Sequence, residues 1–160
     1  MNLTLFFIGL GSSAIGSLGF ALIFRLRPRY LAPAALGGTL GFAVYFLFDW
    51  LGFHIFATNF LAAVAAAIFS EGCARFFRAP SVVFSIPCII PLVPGSLLYY
   101  TMSHLLEGKY ADSFTYLTKT LLTALGIAGG LIVVSVLLSV AMQIREHFSA
   151  KKREEAGKEA

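Results

Sequence analysis

The sequence predicts an all-α, polytopic membrane protein with five transmembrane helices, the fourth of them broken by proline and glycine. Of its 160 residues, 58% are hydrophobic and only 12% are charged. The mean hydropathy is +0.83, which is far from the balance of an ordinary soluble domain. Long apolar stretches also recur along the whole chain, with short connections between them.

Five apolar stretches are long enough to cross about 30 Å of hydrocarbon at about 1.5 Å per residue. They cover residues 3–24, 31–48, 55–74, 81–105 and 115–143. No positive residue precedes the first stretch, so we interpret it as an uncleaved anchor. The chain therefore divides into a five-helix transmembrane domain, residues 1–144, and a charged cytoplasmic tail, residues 145–160.

The distribution of lysine and arginine predicts the orientation in the membrane. Ten of these residues fall on one side of the predicted spans: Arg25, Arg27, Arg29, Arg75, Arg78, Arg145, Lys151, Lys152, Arg153 and Lys158. Only Lys109 and Lys119 remain for the other side. Because positive residues accumulate on the cytoplasmic side, we expect the N-terminus outside and the tail in the cytoplasm.

The fourth span is interrupted in the stretch SIPCIIPLVPGSLLYYTM, residues 85–102, which contains Pro87, Pro91, Pro94 and Gly95. A proline lacks an N–H group and clashes with the carbonyl four residues earlier. The pattern therefore predicts a first half-helix that ends near Ile90 and a second that begins near Gly95. Broken backbone at this depth is tolerated only where it is buried in protein or faces a wet cavity.

The two half-helix ends would carry opposite partial charges. Free carbonyl groups, including that of Ile90, would suit an ammonium group, and the free N–H groups of Gly95, Ser96 and Leu97 would suit a carboxylate. A proline kink satisfied by neighbouring helices is the alternative interpretation. The candidate substrate-binding residues are Ile90, Pro91, Pro94, Gly95, Ser96 and Tyr99.

Several other polar residues fall inside the predicted spans. Glu71 is a candidate for proton coupling, or it forms an i,i+4 ion pair with Arg75. Asn59 is expected to form an interhelical hydrogen bond. Lys119 either extends outward to the membrane surface or lines an exit path together with neighbouring threonines.

Small residues recur at helical spacing in three spans: Gly9, Ser13 and Ser17; Gly37 and Gly41; and Gly126 and Gly130. Such faces allow close approach of two helices in lipid, where hydrophobic burial does not drive association. We interpret them as packing faces, within the chain or toward another subunit.

The sequence gives little support for catalysis. It holds no nucleophile with a base and an orienting group, no glycine-rich phosphate loop, and only two cysteines, Cys73 and Cys88, without metal-ligand spacing. We therefore expect no enzymatic activity, no cofactor and no metal. A basic and aromatic stripe for nucleic acid is also missing from the sequence.

The motif IPLVPG at residues 90–95, followed by YYTM at 99–102, resembles the threonine/serine exporter family. The stretch GFALIFRLRPRYL, residues 19–31, and the small residues after it extend the resemblance over most of residues 15–105. The chain is similar in particular to the small, separately encoded membrane subunit, which corresponds to the second half of fused members.

This resemblance implies a bacterial inner-membrane exporter of threonine, serine or related small carboxylates that is driven by an ion gradient. It also implies a larger partner subunit of the same family, and Pro91, Pro94 and Gly95 are the positions that match its motif. The lipid bilayer and a small-molecule substrate are the other expected partners, with a homo-oligomer possible. The alternative is a non-transporting scaffold subunit, in which the broken helix serves only to pack against a partner protein.

Overall fold

The computed structural model describes residues 3–158, with the side chains of residue 4 and residues 6–143. In this range the chain forms only helices and turns, and no strand. In chain order the elements are α1 (Leu3–Ile23), α2 (Pro28–Trp50), α3 (Ile55–Phe77), α4 (Val82–Ile89), a 3₁₀ turn (Ile90–Leu92), α5 (Gly95–Leu106) and α6 (Tyr110–Lys158).

The helix lengths confirm an all-α polytopic membrane protein. Four helices, α1, α2, α3 and α6, are long and apolar enough to cross a membrane. The pair α4 and α5 passes the same test together, with a bend of 48° at the break, and counts as a fifth candidate span if the two helices cross as one. The prediction of an all-α polytopic membrane protein is therefore confirmed, with four to five candidate spans in the predicted order and the break in the predicted place.

The four turns between the spans share one backbone geometry. Each places a residue in the left-handed region, with φ of 52° at Arg25, 79° at Gly52, 50° at Arg78 and 75° at Gly108. At the first turn, Arg25 N–H donates to Leu22 O at 2.9 Å and the next N–H donates five residues back, as in a Schellman motif. The other three turns repeat this pair of bonds.

The left-handed residue differs between the two ends of the bundle. Glycine adopts this conformation freely, and it closes both turns at one end, which we call the Trp50 end (residues 49–54 and 107–109). Arginine closes both turns at the other end, which we call the arginine end (residues 25–29 and 75–80). An L-residue there costs roughly 1–2 kcal/mol, and a cation beside the last carbonyls of a helix offsets part of that cost.

Helix α6 lies directly against α3 through its glycines. An ideal Cβ on Gly126 would lie 2.7 Å from Phe56 O, and one on Gly130 would lie 2.7 Å from Phe60 O. The facing surface of α3 also consists of small side chains, since Ala63 and neighbouring alanines are buried there. This confirms Gly126 and Gly130 as a packing face between helices of the same chain.

The glycines of α2 bring the broken span into the bundle. A Cβ on Gly37 would overlap Cys88 Sγ of α4, and one on Gly41 would lie 3.4 Å from Cys88 O and 3.7 Å from Leu92. On α1, the side chain of Ser17 fills the space above Gly38 in the same way. The small residues of α1 and α2 are therefore also packing faces, as predicted.

The two halves of the broken span have different neighbours. Helix α4 packs against both α2 and α3, whereas α5 packs mainly along α6. The chain thus changes neighbours at the break, so the residues of the break lie between these two groups of helices.

Candidate functional site

The break between α4 and α5 is built from two tight turns. Ile90 O accepts a hydrogen bond from Val93 N–H at 3.2 Å, and Gly95 N–H donates to Val93 O at 2.8 Å. Between them Val93 is extended, and Pro94 has φ −77° and ψ 54°, close to an inverse γ-turn. The sequence prediction that the Ile90 carbonyl and the Gly95 N–H are free is therefore wrong, because these short-range bonds use both groups.

Two N–H groups remain at the start of α5. Those of Ser96 and Leu97 make no hydrogen bond within the described part of the chain, and Pro94 supplies no side-chain cap. The positive end of the helix dipole lies at the same place. The start of α5 therefore presents two donors and a partial positive charge.

A cleft of about 380 Å³ opens beside the break. This volume lies within the usual range for small-molecule sites. Four parts of the chain contribute to its walls: α2, the start of α3, the break with the start of α5, and α6. Its lining residues are Phe42, Tyr45, Ile55, Asn59, Pro91, Leu92, Val93, Pro94, Ser96, Leu97, Lys119 and Thr123.

The cleft is lined by some of the candidate substrate-binding residues that the sequence indicated. Pro91, Pro94 and Ser96 line it, whereas Ile90, Gly95 and Tyr99 do not. Tyr99 is 67% exposed and its ring packs against that of Tyr100. Its side chain therefore does not contribute to the cleft.

Lys119 is the charged residue in this lining. Its ammonium lies 5.6 Å from the centre of the Tyr116 ring, within the range of a cation–π contact. Lys109, by contrast, has its ammonium 2.8 Å from a carboxylate oxygen of Glu107, and this pairing holds the pKa of Glu107 below its ordinary value. Lys119 is exposed and also lines this cleft, so extension to the membrane surface and lining of a path both stay predictions.

Two buried polar side chains of the cleft come from facing helices. Asn59 is 2% exposed, and its Nδ2 donates to Ile55 O at 2.7 Å within α3. The expected interhelical hydrogen bond of this amide nitrogen is thus replaced by a bond inside its own helix. Thr123 is 3% exposed, and its hydroxyl has no hydrogen-bond partner among the described residues.

Glu71 lies away from the cleft, toward the arginine end of α3. It is half-buried, and Arg75 is exposed. The two side chains form no salt bridge, although their i,i+4 spacing would permit one, and the salt bridges among the described side chains lie elsewhere. The structural ion pair, one of the two alternatives for Glu71, is therefore not formed in this conformation.

Sequence reasoning identified a polar face at the start of α6 but did not place it beside the break. The signal was present, because Lys119 and Thr123 are four residues apart and so share a helix face. What the sequence did not indicate is that this face meets the break.

Comparison with known proteins agrees with the resemblance that the motif suggested. A family model described as threonine/serine exporter, ThrE, matches residues 10–137. The match covers α1 to α5 almost entirely, together with the part of α6 that contributes to the cleft. No solved structure matches the chain. The match extends over more than half of the sequence, and the chain therefore belongs to the threonine/serine exporter family.

Proposed function

We propose that the chain is a membrane subunit of a secondary exporter, which moves threonine, serine or a related small carboxylate through the cleft at the break. The observation that carries this proposal is that Lys119 lines the same cleft as Ser96 and Leu97, whose N–H groups are free. Discontinuous helices hold charged substrates in this way in other secondary transporters. Family membership supports the transport of amino acids.

We further propose that export needs a larger partner subunit of the same family. The support is the similarity to the separately encoded small subunit, together with the small number of polar side chains in the five spans. One such subunit would supply the remaining wall of the pathway. Association of the chain with copies of itself, through its exposed helix faces, is a further part of this proposal.

The proposed location is the bacterial inner membrane, with the N-terminus outside and the C-terminus in the cytoplasm. The support is the cluster of arginines at residues 25–29 and 75–80, at one end of the bundle. In this orientation the cleft lies toward the outer side. A C-terminal green fluorescent protein should fluoresce, and a C-terminal alkaline phosphatase should be inactive; the reverse would overturn the orientation.

Glu71 is the proposed proton-coupling residue. Its support is a half-buried carboxyl group without a salt bridge to Arg75, in a span where an ionisable group is costly. Coupling through this group would link a proton gradient to the movement of substrate.

Efflux measurements test the proposed function. Proteoliposomes that hold the chain with its partner should release labelled threonine or serine when an ion gradient is applied, and those with either subunit alone should not. Full transport by this chain alone would overturn the two-subunit proposal.

The scaffold alternative predicts a different contact at the break. A photoreactive threonine analogue should label residues 90–97 if the cleft binds substrate. Labelling of this region only by crosslinks to another protein, with transport unaffected by substitutions in the cleft, would instead favour a scaffold.

A further inference from the structure

We propose that the cleft at the break is a carboxylate subsite, in which Lys119 is the specificity-determining residue and Thr123 a direct ligand. The proposal rests on the proposed function and deepens it, because it names the chemical group that this chain recognises. The bound group is one carboxylate of a small organic acid, whether or not the molecule also carries an ammonium group.

The hydroxyl of Thr123 gives the first argument. Three other threonines of α6, Thr115, Thr118 and Thr120, each donate to the carbonyl four residues earlier in the helix, at 3.0, 2.9 and 2.8 Å. Thr123 makes no such bond, although it is only 3% exposed and lines the cleft. A buried hydroxyl without a partner is costly, so a ligand in the cleft would satisfy it.

The donors of the cleft give the second argument. The N–H groups of Ser96 and Leu97 are unpaired, and both residues line the same cleft as Thr123. Helix α5 has 12 residues, long enough for its dipole to favour an anion at this end. Backbone donors, a hydroxyl and an ammonium are together suited to the two oxygens of a carboxylate.

The charge of the cleft gives the third argument. Its described lining includes Lys119 but neither aspartate nor glutamate. The Ile90 carbonyl, which was expected to receive an ammonium group, already accepts from Val93 N–H and does not line the cleft. The cleft is therefore complementary to the carboxylate end of an amino acid and not to its ammonium end.

A matched pair of threonine analogues tests this inference. In 2,3-dihydroxybutanoate a hydroxyl replaces the amine, whereas in threoninol a hydroxymethyl group replaces the carboxylate. The full chain in lipid nanodiscs, with its partner where one co-purifies, is equilibrated with labelled 2,3-dihydroxybutanoate. We expect saturable binding, competition by L-threonine, and little competition by threoninol.

Variants then assign the residues. Loss of a hydrogen bond to a charged group costs about 1.5–3 kcal/mol, so Lys119→Gln should weaken binding by about tenfold to a hundredfold. Lys119→Arg should retain most of it, and Thr123→Val should weaken it more than Thr123→Ser does. The matched controls are Lys109→Gln, at a lysine paired with Glu107, and Thr120→Val, at a hydroxyl bonded within its own helix. Both controls should bind as the unsubstituted chain does.

Three results would overturn the subsite: no saturable binding of 2,3-dihydroxybutanoate, equal competition by threoninol, or unchanged binding by a folded Lys119→Gln variant. The comparison of the two analogues uses the unsubstituted chain, so it tests carboxylate binding even if a variant fails to fold. Export of threonine that threoninol inhibits as well as 2,3-dihydroxybutanoate would refute the subsite and leave the proposed function standing. Binding of the carboxylate without any export of threonine would refute the function alone.

Discussion

The carbonyl oxygen of Phe60 occupies the space where a side chain on Gly130 would begin, because an ideal Cβ there would lie 2.7 Å from it. Gly126 faces Phe56 in the same way one helical turn earlier. The separation of α3 and α6 is therefore set by the absence of side chains at two positions. This contact also holds the cleft together, since one wall comes from α3 and another from α6.

We expect Gly126→Ala and Gly130→Ala to destabilise the protein by about 1–3 kcal/mol each, as overpacked sites do. The added methyl would meet backbone, which cannot rotate away as a flexible side chain can. Thermal unfolding in detergent, followed by size-exclusion chromatography, measures this loss.

Gly129→Ala is the matched control on the same helix. Its Cβ would lie 3.5 Å from the Phe60 ring, an ordinary contact. Its stability should be unchanged or slightly higher, because alanine favours a helix over glycine. An equal loss in all three variants would mean that helix α6 responds to any added methyl, not to the close contact with α3.

A hydroxyl bridge joins α3 to α4 and gives a second prediction. The hydroxyl oxygens of Ser70 and Ser85 are 2.8 Å apart, and Ser70 also donates to Ala67 O at 2.9 Å. Because Ser70 has a single hydroxyl hydrogen, Ser85 is the donor to Ser70. A double-mutant cycle with Ser70→Ala and Ser85→Ala should give a coupling of about 0.6 kcal/mol, the usual size inside membranes. Strict additivity of the two substitutions would contradict the bridge.

Glu71 and Arg75 give a third prediction, because no salt bridge links them. Arg75→Gln should change the free energy of unfolding by less than about 0.5 kcal/mol, as expected for an exposed side chain without a partner. Glu71→Gln should abolish the dependence of efflux on a pH gradient. Retention of that dependence would remove Glu71 from coupling, and a large loss of stability in Arg75→Gln would show that the pair forms after all.

The positions of the PLVPG motif should separate into two classes. A Cβ on Gly95 meets no atom within 4 Å, so Gly95→Ala should fold and export within about twofold of the unsubstituted chain. Pro91→Ala and Pro94→Ala remove ring atoms that line the cleft and allow the helix to continue through the break. We expect both to insert into the membrane but to lose export, measured as labelled threonine efflux. Export by the double proline variant would remove the break from the mechanism.

Much of the fold was predictable because hydropathy and proline act locally. Apolar runs of sufficient length gave the spans, and Pro91 with Pro94 predicted the break to within a residue of its place, from Ile90 to Gly95. The candidate site was predictable only in part. The hydrogen bond of the Gly95 N–H group depends on the ψ angle of Pro94, which a sequence pattern does not specify.

The position of Lys119 beside the break could not be predicted from the sequence, for a different reason. A lysine near a helix end in a membrane protein usually extends toward water, and a pattern of four-residue spacing does not show which helix it faces. Only the packing of α6 against α3 places Lys119 and Thr123 beside the break. Sequence therefore predicted which segment is unusual, while the packing shows which side chains of other helices line the cleft beside it.

Helix α6 has 49 residues, a length of about 74 Å at about 1.5 Å per residue. The hydrocarbon layer is about 30 Å thick, and even a tilt of about 40° would let it accommodate only about 40 Å of helix. At least about 30 Å of this helix must therefore lie outside the hydrocarbon layer, whichever way the protein is inserted. The candidate span within α6 ends at Gln143, so the last turns of the helix, up to Lys158, are the part that leaves the hydrocarbon layer.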